Sequence, residues 1–207
     1  MNRWWLLISL MLPAAQARAA DVWVTLLRCP EEHWQQKLAE TKPDAAKLLA
    51  LAAAHEGPEV AVQVRLETEN AKPVRWTEGK EMEFTAGWIS DGDPFALKPR
   101  AKEKRWMGTV IEATVERFED EEAVEVALNL RHDTAAPTWT EFTYPVSTVV
   151  DPPKQKTPLK LPQFRRIEWQ GKISSKHLKP VLAGSLLVAS PEDKADKSTR
   201  WFVIVTP

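Results

Sequence analysis

WMGTVIEATVERF, Trp106 to Phe118, and AVEVALNLR, Ala123 to Arg131, flank the acidic link Glu119-Asp120-Glu121-Glu122, and their reading decides the fold. In the second segment Val124, Val126, Leu128 and Leu130 fall on one side, with Glu125, Asn129 and Arg131 on the other. A period of two in β-branched and aliphatic residues marks a half-buried strand, and two such runs joined by a short polar link read as a hairpin. The chain is therefore expected to be built on antiparallel strands.

The same period extends upstream. Val60, Val62, Val64 and Leu66 alternate with Ala61, Gln63, Arg65 and Glu67. Met82, Phe84, Ala86 and Trp88 alternate with Glu81, Glu83 and Thr85, after a turn expected at Thr77-Glu78-Gly79-Lys80. Asp91-Gly92-Asp93-Pro94 is a turn by residue type. Downstream, Thr138 to Val150 reads as a strand. Asp151 to Pro162 holds Pro152, Pro153, Pro158 and Pro162 and is expected to be a long exposed loop, because proline cannot donate to a ladder. Phe164 to Ile173, Pro180 to Ser190 and Ser198 to Thr206 complete the strands. The run Trp201-Phe202-Val203-Ile204-Val205 is apolar on both faces, as a central strand would be.

Before the alternating region the pattern differs. Val22 to Leu27 is an apolar strand. Glu31 to Glu40 and Asp44 to His55 are helical, separated by Pro43, and the second places Ala46, Leu49, Ala50 and Ala53 on one apolar face. The expected fold class is α+β: an N-terminal strand and two short helices packed on a mostly antiparallel, twisted β-sheet.

The first nineteen residues read differently again. Arg3 precedes the apolar run Trp4 to Ala15, and Ala17-Arg18-Ala19 offers small residues for a cleavage site. The run is too short for a bilayer, which takes about 20 apolar residues. Residues 1–19 are expected to be a signal peptide and 20–207 a single exported domain, periplasmic or secreted, with no integral span after cleavage.

Charge and motifs narrow the function. The 28 basic and 29 acidic residues nearly balance, giving no reason to expect nucleic acid as a partner. The single cysteine, Cys29, ends an apolar run and is expected to be buried and inert. No G-x-S-x-G elbow, H-E-x-x-H or C-x-x-C occurs, the seven glycines form no phosphate loop, and His132-Asp133 would point to opposite faces of a strand. No catalytic residue, metal ligand or cofactor is expected. Lys98, Arg100, Lys102, Lys104 and Arg105 are read as a solvated loop.

Ten tryptophans are unusual for this length. Trp88, Trp169 and Trp201 share faces with aliphatic neighbours and are expected in the core. Trp106 and Trp139 are the exposed candidates for a ligand or partner contact, since an indole face can stack on a sugar ring.

Several segments taken in order resemble the C-terminal core domain of the secretins, the outer-membrane proteins of type II and III secretion and type IV pilus systems. Glu67-Thr68-Glu69-Asn70-Ala71 and Trp76 to Phe84 are similar to the family's N-G-x-x-A-x-(hydrophobic) turn and strand. Met107-Gly108-Thr109-Val110-Ile111-Glu112-Ala113-Thr114-Val115 resembles its V-G-x-x-L-x-V-x-P strand, and Val124 to Leu130 the I-x-L strand that follows. Pro162 to Ile167, Pro180 to Leu187 and Phe202 to Pro207 are similar to the later elements. The family's V-P-x-L-G-x-I-P-x-x-G-x-L-F element is missing, the expected domain lacks the N-terminal modules, and no stretch alternates cleanly enough to be a membrane-crossing hairpin. The resemblance implies a non-enzymatic envelope protein acting through protein partners or self-assembly. A glycan-binding module using Trp106 and Trp139 is the alternative, with an uncharacterised hydrolase behind it.

Overall fold

The computed structural model describes residues 20–90, 97–117, 123–143, 158–176, 178–188 and 198–207. The expected leader, the Asp91 to Pro94 turn and the acidic link Glu119 to Glu122 lie outside them. The order is β1 (Ala20–Pro30), α1 (Glu31–His33) running into a π-helical stretch (Trp34–Leu38), α2 (Ala45–Ala53), β2 (Glu59–Thr68), β3 (Pro73–Ser90) and β4 (Leu97–Arg117). There follow β5 (Ala123–Asp133), β6 (Thr138–Thr143), β7 (Pro158–Gln163), β8 (Arg166–Lys176), β9 (Val181–Val188) and β10 (Thr199–Thr206).

The strands are antiparallel, with helices minor, so the broad class is as expected; the single sheet is not. A first sheet has the order β2-β1-β10-β9, a second β3-β4-β5-β8, and β6 and β7 form a separate ribbon. Alternation specifies which face of a strand is buried but not which strand it pairs with. The two four-stranded sheets pack face to face: Val24, Leu26, Val203 and Val205 of the first meet Ile111, Val126, Leu130 and Ile167 of the second. The other face of the first sheet carries Leu27, Cys29, Phe202 and Ile204 against Leu38, Leu48 and Ala52 of the helices. Strand β10 is thus covered on both sides, which is why Trp201 to Val205 carries no polar residue.

Local signals explain the helices. Pro30 precedes α1 with φ −55°, and Asp44 caps α2 by accepting from the Lys47 backbone N–H at 2.8 Å. The buried face of α2 is Ala45, Leu48 and Ala52, not the expected Ala46, Leu49, Ala50 and Ala53. Leucine outweighs alanine in buried area, so Leu48 sets the helix's rotation. On β2 the expected Val62, Val64 and Leu66 are buried but Val60 is half exposed, and a bulge opposite Leu26 and Leu27 shifts the pairing there.

Three expectations in the middle of the chain are corrected. Thr77 to Lys80 is not a turn; it lies inside the eighteen-residue strand β3. Gly79 stands directly opposite Gly108 on β4, with φ of +153° and +142°. A Cβ on either glycine would come within 2.1 Å of a carbonyl oxygen on the facing strand. The turn-like composition therefore marks a kinked crossing of two backbones. The basic run up to Arg105 belongs to β4, not to a loop, and pairs with β3. Pro158 to Gln163 is β7, not loop, since a two-stranded ribbon has open edges where proline is tolerated.

Candidate functional site: an open sheet face and a projecting hairpin

The second sheet buries one face and leaves the other open. On that open face the register sets residues in rows across all four strands. Arg75, Glu112, Asn129 and Gln170 form one row; Thr77, Val110, Arg131 and Glu168 form the next. The Arg75 Nε lies 3.5 Å from Glu112 Oε1, and Asn129 Nδ2 donates to Glu112 Oε2 at 3.3 Å. Arg131 Nε sits 3.4 Å from Glu168 Oε1. At the kink, the carboxylate of Asp133, only 3% exposed, accepts from the Gly108 backbone N–H at 2.9 Å and from Arg166 Nε at 3.0 Å. Two cavities run along this face, one of about 560 Å³ floored by Ala127, Leu128 and Gly171 and one of about 420 Å³ beside Trp106 and Gly108. Arg75 borders both.

Among the described residues, β5 pairs with β4 only from Thr109 to Arg117. From Gly108 back to Leu97, β4 pairs among them with β3 alone, so the far half of the β3–β4 hairpin projects past the sheet as a two-stranded ribbon. Alternating charges run along it: Lys102 pairs with Glu83 at 2.6 Å and Lys104 with Glu81 at 3.3 Å. The hydrogen bond and charge of Lys102 hold the Glu83 carboxyl below its ordinary range, and Glu83 raises Lys102 in turn. One side of the projection is covered by Phe164, whose ring lies 5.2 Å from Phe84 and 3.9 Å beneath the Arg105 guanidinium. The β6–β7 ribbon flanks it and closes a cleft of about 360 Å³ between Trp88 and Trp139.

Trp106 and Trp139, the sequence's two contact candidates, are both exposed, at 39% and 49%. They are not brought together: Trp106 borders the sheet face and Trp139 the ribbon cleft, and the two cavities share no residue. Trp201 is buried as expected and Trp169 packs against the core, its indole filling the space a Cβ on Gly184 would need. Trp88 is corrected: it is half-buried in the cleft, because the projecting hairpin has no second sheet to cover it. Sequence reasoning missed Trp23, which is 40% exposed because its side of β1 extends beyond the helices.

Hydroxyl, imidazole and carboxylate do come near each other at Thr109, His132 and Asp133, without forming a relay. His132 Nδ1 is 2.8 Å from Thr109 Oγ1, and its half-buried ring packs 5.2 Å from the buried Trp201. Burial lowers the His132 pKa and keeps the ring neutral. The Asp133 carboxylate is engaged by Arg166 and Gly108 instead. Cys29 is buried as expected, and burial pushes its thiol up to about 11, so no thiolate forms near neutral pH. Among the described residues no three His, Cys, Asp or Glu side chains cluster as metal ligands, and no helix is long and apolar enough to cross a membrane.

No family model matches the sequence, and no curated protein matches it. Solved structures do. PulD, in the Klebsiella pneumoniae type II secretion system outer membrane complex with PulS and the PulC HR domain, is similar over 91% of this chain and 40% of its own, at 8% identity and a TM-score of 0.44. Aeromonas hydrophila ExeD is similar over 90% of this chain and 45% of its own, at 11% identity and a TM-score of 0.40. The InvG secretin domain β-barrel of the Salmonella SPI-1 injectisome is similar over 89% and 59%, at 12% identity and a TM-score of 0.36. The chain spans less than two thirds of each. All three are secretins, the family that the sequence segments resemble.

Proposed function

We propose that the chain is a non-enzymatic protein of the cell envelope whose secretin-like domain works through protein contacts, assembling with further copies by pairing strand edges. The projecting half of the β3–β4 hairpin carries this reading. Among the described residues no strand pairs with the outer side of β3 or with β4 before Thr109. A two-stranded ribbon is marginal in water by itself, and a long open edge is a template for another strand. Alternating Lys and Glu along the ribbon discourage indiscriminate pairing while leaving the backbone groups available. The sequence resemblance to a family of assembling envelope proteins points the same way, and residues 1–19 supply the export signal; the exported protein is expected to begin near Ala20 on N-terminal sequencing.

Native mass spectrometry and light scattering of the purified domain test the assembly. Multimers are expected, and adjacent proline variants should separate the two edges of β3. Of Glu81→Pro and Met82→Pro, one removes an N–H directed at β4 and unfolds the hairpin. The other removes an N–H directed outward and leaves a folded protein that no longer multimerises. A strict monomer at high concentration, in the presence of membranes as in their absence, would sink the proposal.

A further inference from the structure

We infer that the open face of the second sheet is a binding trough for an uncharged oligosaccharide, with Trp106 as the stacking platform at one end. The two cavities on this face lie end to end with Arg75 between them, and their linings follow β4 from Trp106 to Thr114. At a strand rise of about 3.3 Å per residue that is about 27 Å, room for a chain of several rings. The trough's charges decide what the chain carries. Arg75, Arg131, Arg166 and Lys172 face Glu112, Glu168, Asp133 and Glu125 within 3.5 Å, so each of these cations already has its anion and the face offers no net charge to a polyanion. What remains is an array of neutral and half-used donors and acceptors, with the amides of Asn129 and Gln170 side by side in one row.

Extended peptides dock by completing a backbone ladder. Here β4 is paired on both sides from Thr109 to Thr114 and β5 from Val124 to His132, so along the trough their backbone is spent and only side chains face outward. Sugar hydroxyls, each donor and acceptor at once, match such a surface, and the apolar face of a pyranose matches an exposed indole. On the trough side of Trp106 the neighbouring positions are Gly79 and Gly108, which carry no side chain and leave room for a ring beside the indole, while Glu81, directly opposite, is held by Lys104 at the far side. This inference stands apart from assembly, which uses strand edges and not the sheet face.

Isothermal titration of the purified full-length protein with cellohexaose and chitohexaose tests it. At least one of the two is expected to bind, with affinity falling about tenfold or more in Trp106→Ala and in the double variant Asn129→Ala with Gln170→Ala, while Trp139→Ala binds as the parent does. Circular dichroism melts identical to the parent's establish that the variants fold. Absence of binding by both sugars at millimolar concentration overturns the inference. So does loss of binding in Trp139→Ala with retention in Trp106→Ala, or tighter binding of heparin than of either neutral sugar.

Discussion

Glu31 and Arg200 tie the first helix to the last strand. The guanidinium donates to both carboxylate oxygens, at 2.7 and 2.8 Å, and stacks on Trp34. With the Glu31 side chain 12% exposed, this pair is worth about 2 kcal/mol. The Arg200 hydrogen bond depresses the Glu31 pKa, so its contribution is present above the ordinary 4.5 and is lost as pH falls through the lower folded value. Burial likewise depresses His132 from 6.5, so stability falls as the pH drops below that value, where the unfolded chain takes up a proton that the buried ring resists. Urea unfolding is expected to show stability declining first below about pH 6.5 and again below about pH 4.5. Glu31→Gln should reduce the second decline, Glu83 supplying part of the remainder, and His132→Asn should remove the first. At this scale the sequence was most legible where apolar residues alternate: Val124, Val126, Leu128 and Leu130 are all buried as read. It was least legible for tryptophan, whose large apolar ring fits a core or a cleft equally well, as Trp88 and Trp169 show.

Among the elements, strands could be read from their period, whereas lengths and partners could not. Composition at Thr77 to Lys80 indicates a turn, yet turn-type residues also serve where two backbones must approach. The facing Gly79 and Gly108 are such a place, so the hairpin continues through a kink. Gly108→Ala puts a methyl 2.1 Å from the Glu78 carbonyl at φ +142°. It is expected to cost about 2–4 kcal/mol in equilibrium unfolding, well above an Ala substitution at exposed Glu116 on the same strand. The basic run beside it was legible as solvated but not as a strand, because charges that balance across two strands look unpaired in one. Pro158 and Pro162 misled in the same manner: their bar on pairing applies to central strands, and β7 is at an edge.

For the whole molecule, the sequence conveyed an antiparallel β-rich domain with helices near its start, but not its division into two packed sheets and a ribbon. That division depends on pairings between residues far apart in the chain, above all β1 with β10, from Trp23 opposite Thr206 to Pro30 opposite Thr199. No local pattern announces such a pairing. It also has a temporal meaning. Until the ribosome has delivered Thr199 to Thr206, β1 lacks its central neighbour and β9 has nothing to join, so the buried layer on both sides of Phe202 cannot close. Loop entropy must be spent across everything between β1 and β10 before that closure is rewarded, which makes for slow folding. Refolding from urea is expected to take milliseconds to seconds, and a chain truncated after Ser198 to show no cooperative transition. Nascent copies thus keep the inner layer open until Thr199 to Thr206 have been made, so a pause in synthesis before them leaves β1 and β9 without the strand that joins them.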